Sequence, residues 1–282
     1  MNKEQVPYLT ESAVHLAHLC ALETWRGYSY SNGKQFTDVI AVRNKDTKTN
    51  STKLEVLSDE YFMSRCTEQM FSVLKPNRYR NNAKINDSFI DAFRKVAGIK
   101  QTERRGPKPN YTQGVAYLKR GVAEDYKNYH KLSLIDKPLG VLKAINNLSV
   151  AFTDQNEETV KSEHVMLATR LLFFFMPDAL IFNYSPGIAL KLKLKGDAEK
   201  HIDEYQIKMW EGLKLNWQTL CHYDMPLPKN FDEATYQLAK NSGWWQRRIY
   251  DLALKFYGDK NSSLILSHKI KATLFSKPNI IV

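Results

Sequence analysis

Four groups of residues in this 282-residue chain have types and spacings suited to chemistry. The first lies in its most apolar stretch, His164 to Gly196, HVMLATRLLFFFMPDALIFNYSPGIALKLKLKG, where Arg170, Asp178, Asn183 and Tyr184 sit among aliphatic and aromatic neighbours. The second is NSGWWQRRIYDLALKFYG, residues 241–258, which crowds Trp244, Trp245, Arg247, Arg248 and Tyr250 into one short region. Aromatic faces stack an extruded base, and guanidinium groups hold phosphates or guanine edges. The plainer use of the same residues buries both tryptophans in a core and leaves the arginines solvated. A mixed arrangement buries one Trp and turns the Arg pair toward nucleic acid.

The third group is a basic loop and helix. Arg104, Arg105, Lys108, Lys119, Arg120, Lys127 and Lys131 are interleaved with Tyr111, Tyr117, Tyr126 and Tyr129. From Arg94 to Lys131 there are ten Lys or Arg against three acids. Such a local surplus suits phosphate neutralisation, and otherwise forms a solvated charged face. The fourth group is HLAHLCALE, with His15, His18, Cys20 and Glu23. His15 and His18 share a helix face, but Cys20 lies off it and no second ligand cluster appears, so no metal site is expected.

The elements that must position these residues read as mainly helical. Helices are expected over 8–26, 60–75, 86–97, 115–132, 139–152, 157–176, 198–221 and 231–257. Residues 34–57 alternate like a β-hairpin, 98–114 form an exposed Gly- and Pro-containing loop, and the tail from Ser267 is a strand or arm. The apolar stretch has the order helix, tight turn, short extended piece, polar residue, helix. Thr159 or Ser162 starts its first helix, and Pro177 ends it because proline has no N–H and clashes with the preceding turn. Residues 180–183 are extended, Ser185 caps the second helix and Pro186 takes its first position. A polar residue at that junction faces free backbone N–H groups, a seat for phosphate or carboxylate.

The segment ATRLLFFFMPDALIFNYSPGIALKL resembles one found in prokaryotic proteins with the fold of 8-oxoguanine DNA glycosylase, within the helix-hairpin-helix class. The shared pattern is a small residue followed by Ser-Lys or similar, apolar residues, Pro-Asp, a short apolar piece, an Asp, and a helix ending in Ala-Leu. Ala168, Thr169 and Arg170 stand where Ala-Ser-Lys would stand; Pro177, Asp178, Ala189 and Leu190 match. The likeness covers about thirty residues, with a weaker echo in WWQRRIYDLALKFY. It implies a hydrolase of the base-excision kind: base flipping, a junction carboxylate that stabilises charge on the sugar, and, where a Lys is present, a Schiff base. It also implies a context of antiviral defence against phage with modified DNA.

Two departures bear on that chemistry. Asn183 stands where the Asp is expected and carries no charge, and Arg170 is a poor nucleophile. Asp178 or another acid supplies the carboxylate, or the reaction is lost, or an Asp has been replaced at 183. Read without the likeness, the segment is a buried helical hairpin with no chemistry.

Composition sets the outer limits. A formal net charge of +11 favours an anionic partner, and 12% aromatic residues fit a globular protein. The apolar stretch is interrupted by Arg170, Pro177, Asp178, Asn183 and Pro186, too soon for a spanning helix of about 20 residues. Cys20, Cys66 and Cys221 are sparse and unclustered, and the N-terminus has no signal layout, so a reducing, cytoplasmic setting is expected. No phosphate-binding glycine loop, dinucleotide fingerprint, Gly-x-Ser-x-Gly elbow or Cys-x-x-Cys pair occurs, and the acids of DEYQIK have the wrong spacing for a metal-dependent nuclease.

The expectation is a mainly α protein: one compact helical domain over 1–282 with a glycosylase-like core and a small hairpin-bearing N-terminal lobe within 1–97. Its partner is duplex DNA, with no membrane and no cofactor, since glycosidic cleavage can run on a carboxylate and water. Asn183 and Asp178 are the candidate catalytic residues, and Arg170, Tyr184, Trp244 and Trp245 the base pocket. Arg104, Arg105, Lys119, Arg120, Lys127, Arg247 and Arg248 are the candidate nucleic-acid contacts. The alternative is a non-enzymatic basic helical protein that binds DNA or an acidic protein.

Overall fold

The computed structural model describes residues 6–18, 21, 87, 90, 94, 111–153, 160–176, 178–223, 240 and 243–257. These are mainly helical and contain no strand. The hairpin expected over 34–57, the tail, and the helix expected over 60–75 lie outside the described residues. The chain divides into two compact units, one made of Met1–Ser51 with Gly212–Val282, the other of Thr52–Glu211. The lobe expected within 1–97 falls across both.

In the discontinuous unit, α1 (residues 11–18) buries Val14, Leu16, Ala17 and His18. The helices of the contiguous unit follow in chain order: α2 (Thr112–Lys119), α3 (Gly121–Lys131), α4 (Lys137–Ala151), α5 (Ser162–Phe175), α6 (Pro186–Lys191) and α7 (Ala198–Leu215), whose last turn enters the other unit. Then come α8 (Trp217–Cys221) and α9 (Gly243–Phe256). Thr112–Gly114 are therefore helical rather than the end of the loop expected over 98–114.

In the contiguous unit, α4 packs on α5, α3 and α2. Its buried Val141, Ala144, Ile145 and Leu148 recur at helical spacing and meet the buried Val165, Leu167, Ala168, Leu171 and Leu172 side of α5. Gly114 is needed on α2, because a Cβ there would overlap the Phe152 ring. The helix expected over 115–132 is broken at Arg120, which leaves helical dihedrals (φ −126°, ψ −53°) and shares its N–H between Ala116 and Tyr117. At the α5 N-terminus, buried Arg94 donates to Tyr111 Oη (2.9 Å) and to Glu163 (3.1 Å).

The helix expected over 198–221 also divides, at Asn216, into α7 and α8. Asn216 Oδ1 accepts the Leu9 N–H (2.8 Å), and its Nδ2 donates to the carbonyls of Gly212 (2.8 Å) and Pro7 (3.3 Å). One buried amide thus satisfies three backbone groups, which is why an Asn sits where a helix would otherwise continue. Gly212 lets the chain pass Tyr250: a Cβ there would overlap the phenol oxygen and crowd Val6. α9 is buried from Trp244 to Leu254 except for the half-buried Arg248.

Candidate functional site

The junction between α5 and α6 runs in the order its prolines dictate. α5 ends at Phe175, and Met176, next to proline, takes an extended-side conformation (φ −130°, ψ 69°). Residues 180–185 are non-helical, Ser185 holds the N-cap position (φ −137°, ψ 122°) and Pro186 is the first helical residue. The Ser185 hydroxyl, however, makes no capping hydrogen bond, and α6 has only six residues. So short a helix supplies little of the dipole on which the phosphate-seat expectation rests.

What holds the junction is a set of side chains. Among the described residues the buried segment has no strand partner, and neighbouring helices satisfy its backbone. Tyr129 Oη accepts the Leu180 N–H (3.3 Å). Gln206 acts like a strand edge: its Oε1 accepts the Phe182 N–H and its Nε2 donates to the Phe182 carbonyl, both at 2.9 Å. Tyr205 Oη donates to the Asn183 carbonyl (2.7 Å). Thr169 Oγ1 accepts the Tyr184 N–H and donates to Met166 O, each at 3.1 Å. α3, α5 and α7 each contribute to this frame.

Two polar atoms on the frame have no hydrogen-bond partner. Asn183 is 9% exposed, and its Oδ1 is buried without a donor. His201 is 8% exposed; its Nε2 lies 2.8 Å from Tyr184 Oη, and its Nδ1 has no partner. His201 departs from helical dihedrals inside α7 (φ −136°, ψ 16°), which marks a kink. The Tyr184 ring packs on Tyr205 (4.8 Å between centroids) and on His201 (5.6 Å). Burial, then the nearby carboxylates of Glu199 and Asp197, raise the Tyr184 phenol above its usual range, so it keeps its proton. Ser162 connects α5 to the start of α7: its Oγ accepts the Ala198 N–H (2.9 Å) and donates to Glu199 (2.5 Å).

The other candidates are distributed as follows. Arg170 is half-buried, one residue after Thr169. Asp178 is half-exposed, with one carboxylate oxygen 3.2 Å from His130 Nε2 and the other without a partner. Lys119, Arg120 and Lys127 are exposed around the α2–α3 break. Arg104 and Arg105 lie outside the described residues, as does Pro177.

Trp244, Trp245 and Arg247 belong to the other unit and are buried, 0–2% exposed. Both indoles there are packed as core. Arg248 lies 3.7 Å from the buried Asp251 carboxylate, which Lys255 approaches to 3.5 Å from the next turn. His18, in the same unit, stacks on Tyr223 (5.0 Å) and touches Trp245 (6.1 Å), with neither ring nitrogen hydrogen-bonded. Burial above all, then Lys240 and His15, lowers its pKa to about 3, so the ring is neutral. Among the described residues no group of three side chains could hold a metal ion.

Tyr205, Gln206 and His201 are site residues that the sequence reading passes over, and Thr169 enters it only through the glycosylase-like pattern. A signal for three of them exists: His201, Tyr205 and Gln206 occupy positions that face inward with Met209 and Leu213. Polar residues on an apolar stripe mark a buried obligation.

The geometry defines a mainly helical protein with a side-chain-framed polar junction, and among the described residues no helix is long and apolar enough to cross a membrane. No family model, curated protein or solved structure matches the chain.

Proposed function

We propose that this is a DNA-binding protein with a helical, glycosylase-like core whose Asn183 junction receives a base flipped out of duplex DNA for excision. The observation that supports it most is the Asn183 amide, a buried acceptor without a donor on a backbone that its neighbours hold in place. An unpaired buried acceptor costs about 1–3 kcal/mol, a cost that a donor on a bound ligand would remove. A nucleobase edge carries donors suited to an amide oxygen. The net charge of +11 and the exposed Lys119, Arg120 and Lys127 fit phosphate contacts.

A second reading, a basic protein that binds without chemistry, draws on a specific observation. Residue 183 has no carboxylate, and the fallback Asp178 lies beside His130 on a half-exposed turn.

The deciding experiment incubates modified phage DNA and modified duplex oligonucleotides with the chain as it stands and with Asn183→Asp, scoring alkali-labile abasic sites. Excision by either version supports the enzyme. Intact DNA with both leaves the binding reading. In that case, replacing Lys119, Arg120 and Lys127 by Ala should lower the slope of log K against log salt by about 2–3, at roughly 0.9 for each phosphate no longer neutralised.

A further inference from the structure

We infer that the outer face of α4 is a dimer interface, on which a second copy of this chain packs antiparallel, with Leu139 of one copy against the partner's Val150. α4 has two apolar faces. Val141, Ala144, Ile145 and Leu148 form its core side. On a helix of about 3.6 residues per turn, Leu139, Leu142, Lys143, Asn146 and Val150 form a stripe directly opposite. Leu139 is 67% exposed and Val150 51%, with Leu142 half-buried between them. A helix that is apolar on both sides is ordinarily covered on both.

The apolar surface continues into the turn before α4. Leu134 and Ile135 are 79% and 87% exposed, the barest large apolar side chains among the described residues. Ser133 Oγ donates to the Asp136 carboxylate (2.6 Å) and accepts the Asp136 N–H (3.3 Å), so polar residues hold the turn's shape while aliphatic ones occupy its tip. Tips of such turns ordinarily carry Asn, Asp, Gly or Pro. Ile135, Leu139, Leu142 and Val150 follow one another along one helix and its leading turn, which marks an interaction surface rather than scattered exposure.

The pattern fits a second copy. Reversed about its midpoint between Ala144 and Ile145, the stripe meets itself: Leu139 faces the partner's Val150, and the Lys143 ammonium faces the partner's Asn146, whose amide oxygen can accept from it. A two-fold axis through that midpoint makes both sets of contacts at once. The charges on α3 agree. Asp125 lies 3.5 Å from Asn147, and Lys137 sits over the Tyr129 ring (5.1 Å), so α3 runs antiparallel beside α4. Exposed Glu124 therefore marks the Val150 end, and exposed Lys131 the Leu139 end. Antiparallel packing of two copies brings Lys131 toward the partner's Glu124, whereas parallel packing sets like charges together. Phosphates offer nothing to Leu139 and Val150, and an anionic bilayer would have to desolvate Glu124, Asp136 and Asn146.

The test is sedimentation velocity of the full chain from about 1 to 100 µM, unaltered and with Leu139→Glu. The expected result is a monomer–dimer equilibrium that Leu139→Glu weakens at least about tenfold. Leu139 is solvent-exposed within one copy, so thermal melts at the lowest concentration should not change. Lys131→Glu and Glu124→Lys should each weaken the dimer about threefold, and the two together should restore it. Disulfide trapping reads the register: chains carrying Leu139→Cys and chains carrying Val150→Cys should link to each other when mixed, well beyond the linking of either alone or of the unaltered chain. A monomer at every concentration, a dimer indifferent to Leu139→Glu, a charge swap that restores nothing, or self-linking of Leu139→Cys overturns the proposal. So does a monomer that sediments with phosphatidylserine–phosphatidylcholine vesicles, or with duplex DNA, and loses that binding in Leu139→Glu; the face then belongs to the lipid or the nucleic acid. None of these readouts involves base release, so the excision reading stands or falls separately.

Discussion

The α5–α6 junction and the Trp–Arg helix α9 look alike as sequence, since both mix aromatic and polar residues in an apolar setting, but they are built on opposite plans. In α9 the backbone is satisfied by the helix itself, so Trp244 and Trp245 are free to serve as filling, and both are almost wholly covered. At the junction much of the backbone is satisfied by side chains, and Gln206, Tyr205, Thr169 and Tyr129 are spent on it. Two buried atoms there, Asn183 Oδ1 and His201 Nδ1, are left without a hydrogen-bond partner. A polar group in a core is therefore most informative after the backbone's needs have been met.

That contrast can be tested from its largest effect downward. Trp245→Ala should cost about 3–5 kcal/mol in denaturant unfolding, because the indole is fully buried. A loss below about 1 kcal/mol would mean the ring is not core. Gln206→Leu keeps bulk but strands the Phe182 N–H and carbonyl, and should cost about 2–4 kcal/mol. If that variant is as stable as the parent, the frame does not hold the junction.

The neutral His18 gives a pH signature. Its folded pKa, about 3, lies below the usual 6.5, so between those values the unfolded chain binds the proton and the folded one does not. Its contribution is fully present above pH 6.5 and is lost as pH falls toward 3, at about 1.4 kcal/mol per pH unit. His18→Phe should remove that component from a stability-versus-pH series, and an unchanged series would refute it. The smallest effect is the sharpest discriminator: Asn183→Leu should leave stability unchanged or raise it by about 1 kcal/mol, since it deletes an acceptor with no partner. A clear loss would assign Asn183 a structural role.

Much of the junction was legible because proline announces its own boundaries. Pro177 and Pro186 bracket a piece that cannot be helical, and α6 starts at Pro186 as expected. The break at Arg120 is marked by Gly121, which the helix expected over 115–132 runs through, whereas the break at Asn216 has no Gly or Pro beside it. At Asn216 the interruption comes from hydrogen bonds to Pro7 and Leu9, more than two hundred residues away in sequence, and no local pattern encodes that. Gln206 and His201 are signalled only as polar residues on an apolar stripe. Their meaning depends on a loop from another part of the chain lying against α7.

The discontinuous unit has a consequence for how the protein is made. Its α1 leaves the ribosome about 190 residues ahead of the stretch beginning at Gly212 that completes its unit. At bacterial or eukaryotic elongation rates the delay is on the order of ten seconds or more. During that time Val14, Leu16 and Ala17 lack the Gly212–Val282 part of their unit, while the contiguous unit is already whole. The nascent chain therefore carries a greasy helix of an incomplete unit until its last quarter is synthesised, and that helix is where a holdase chaperone would engage it first.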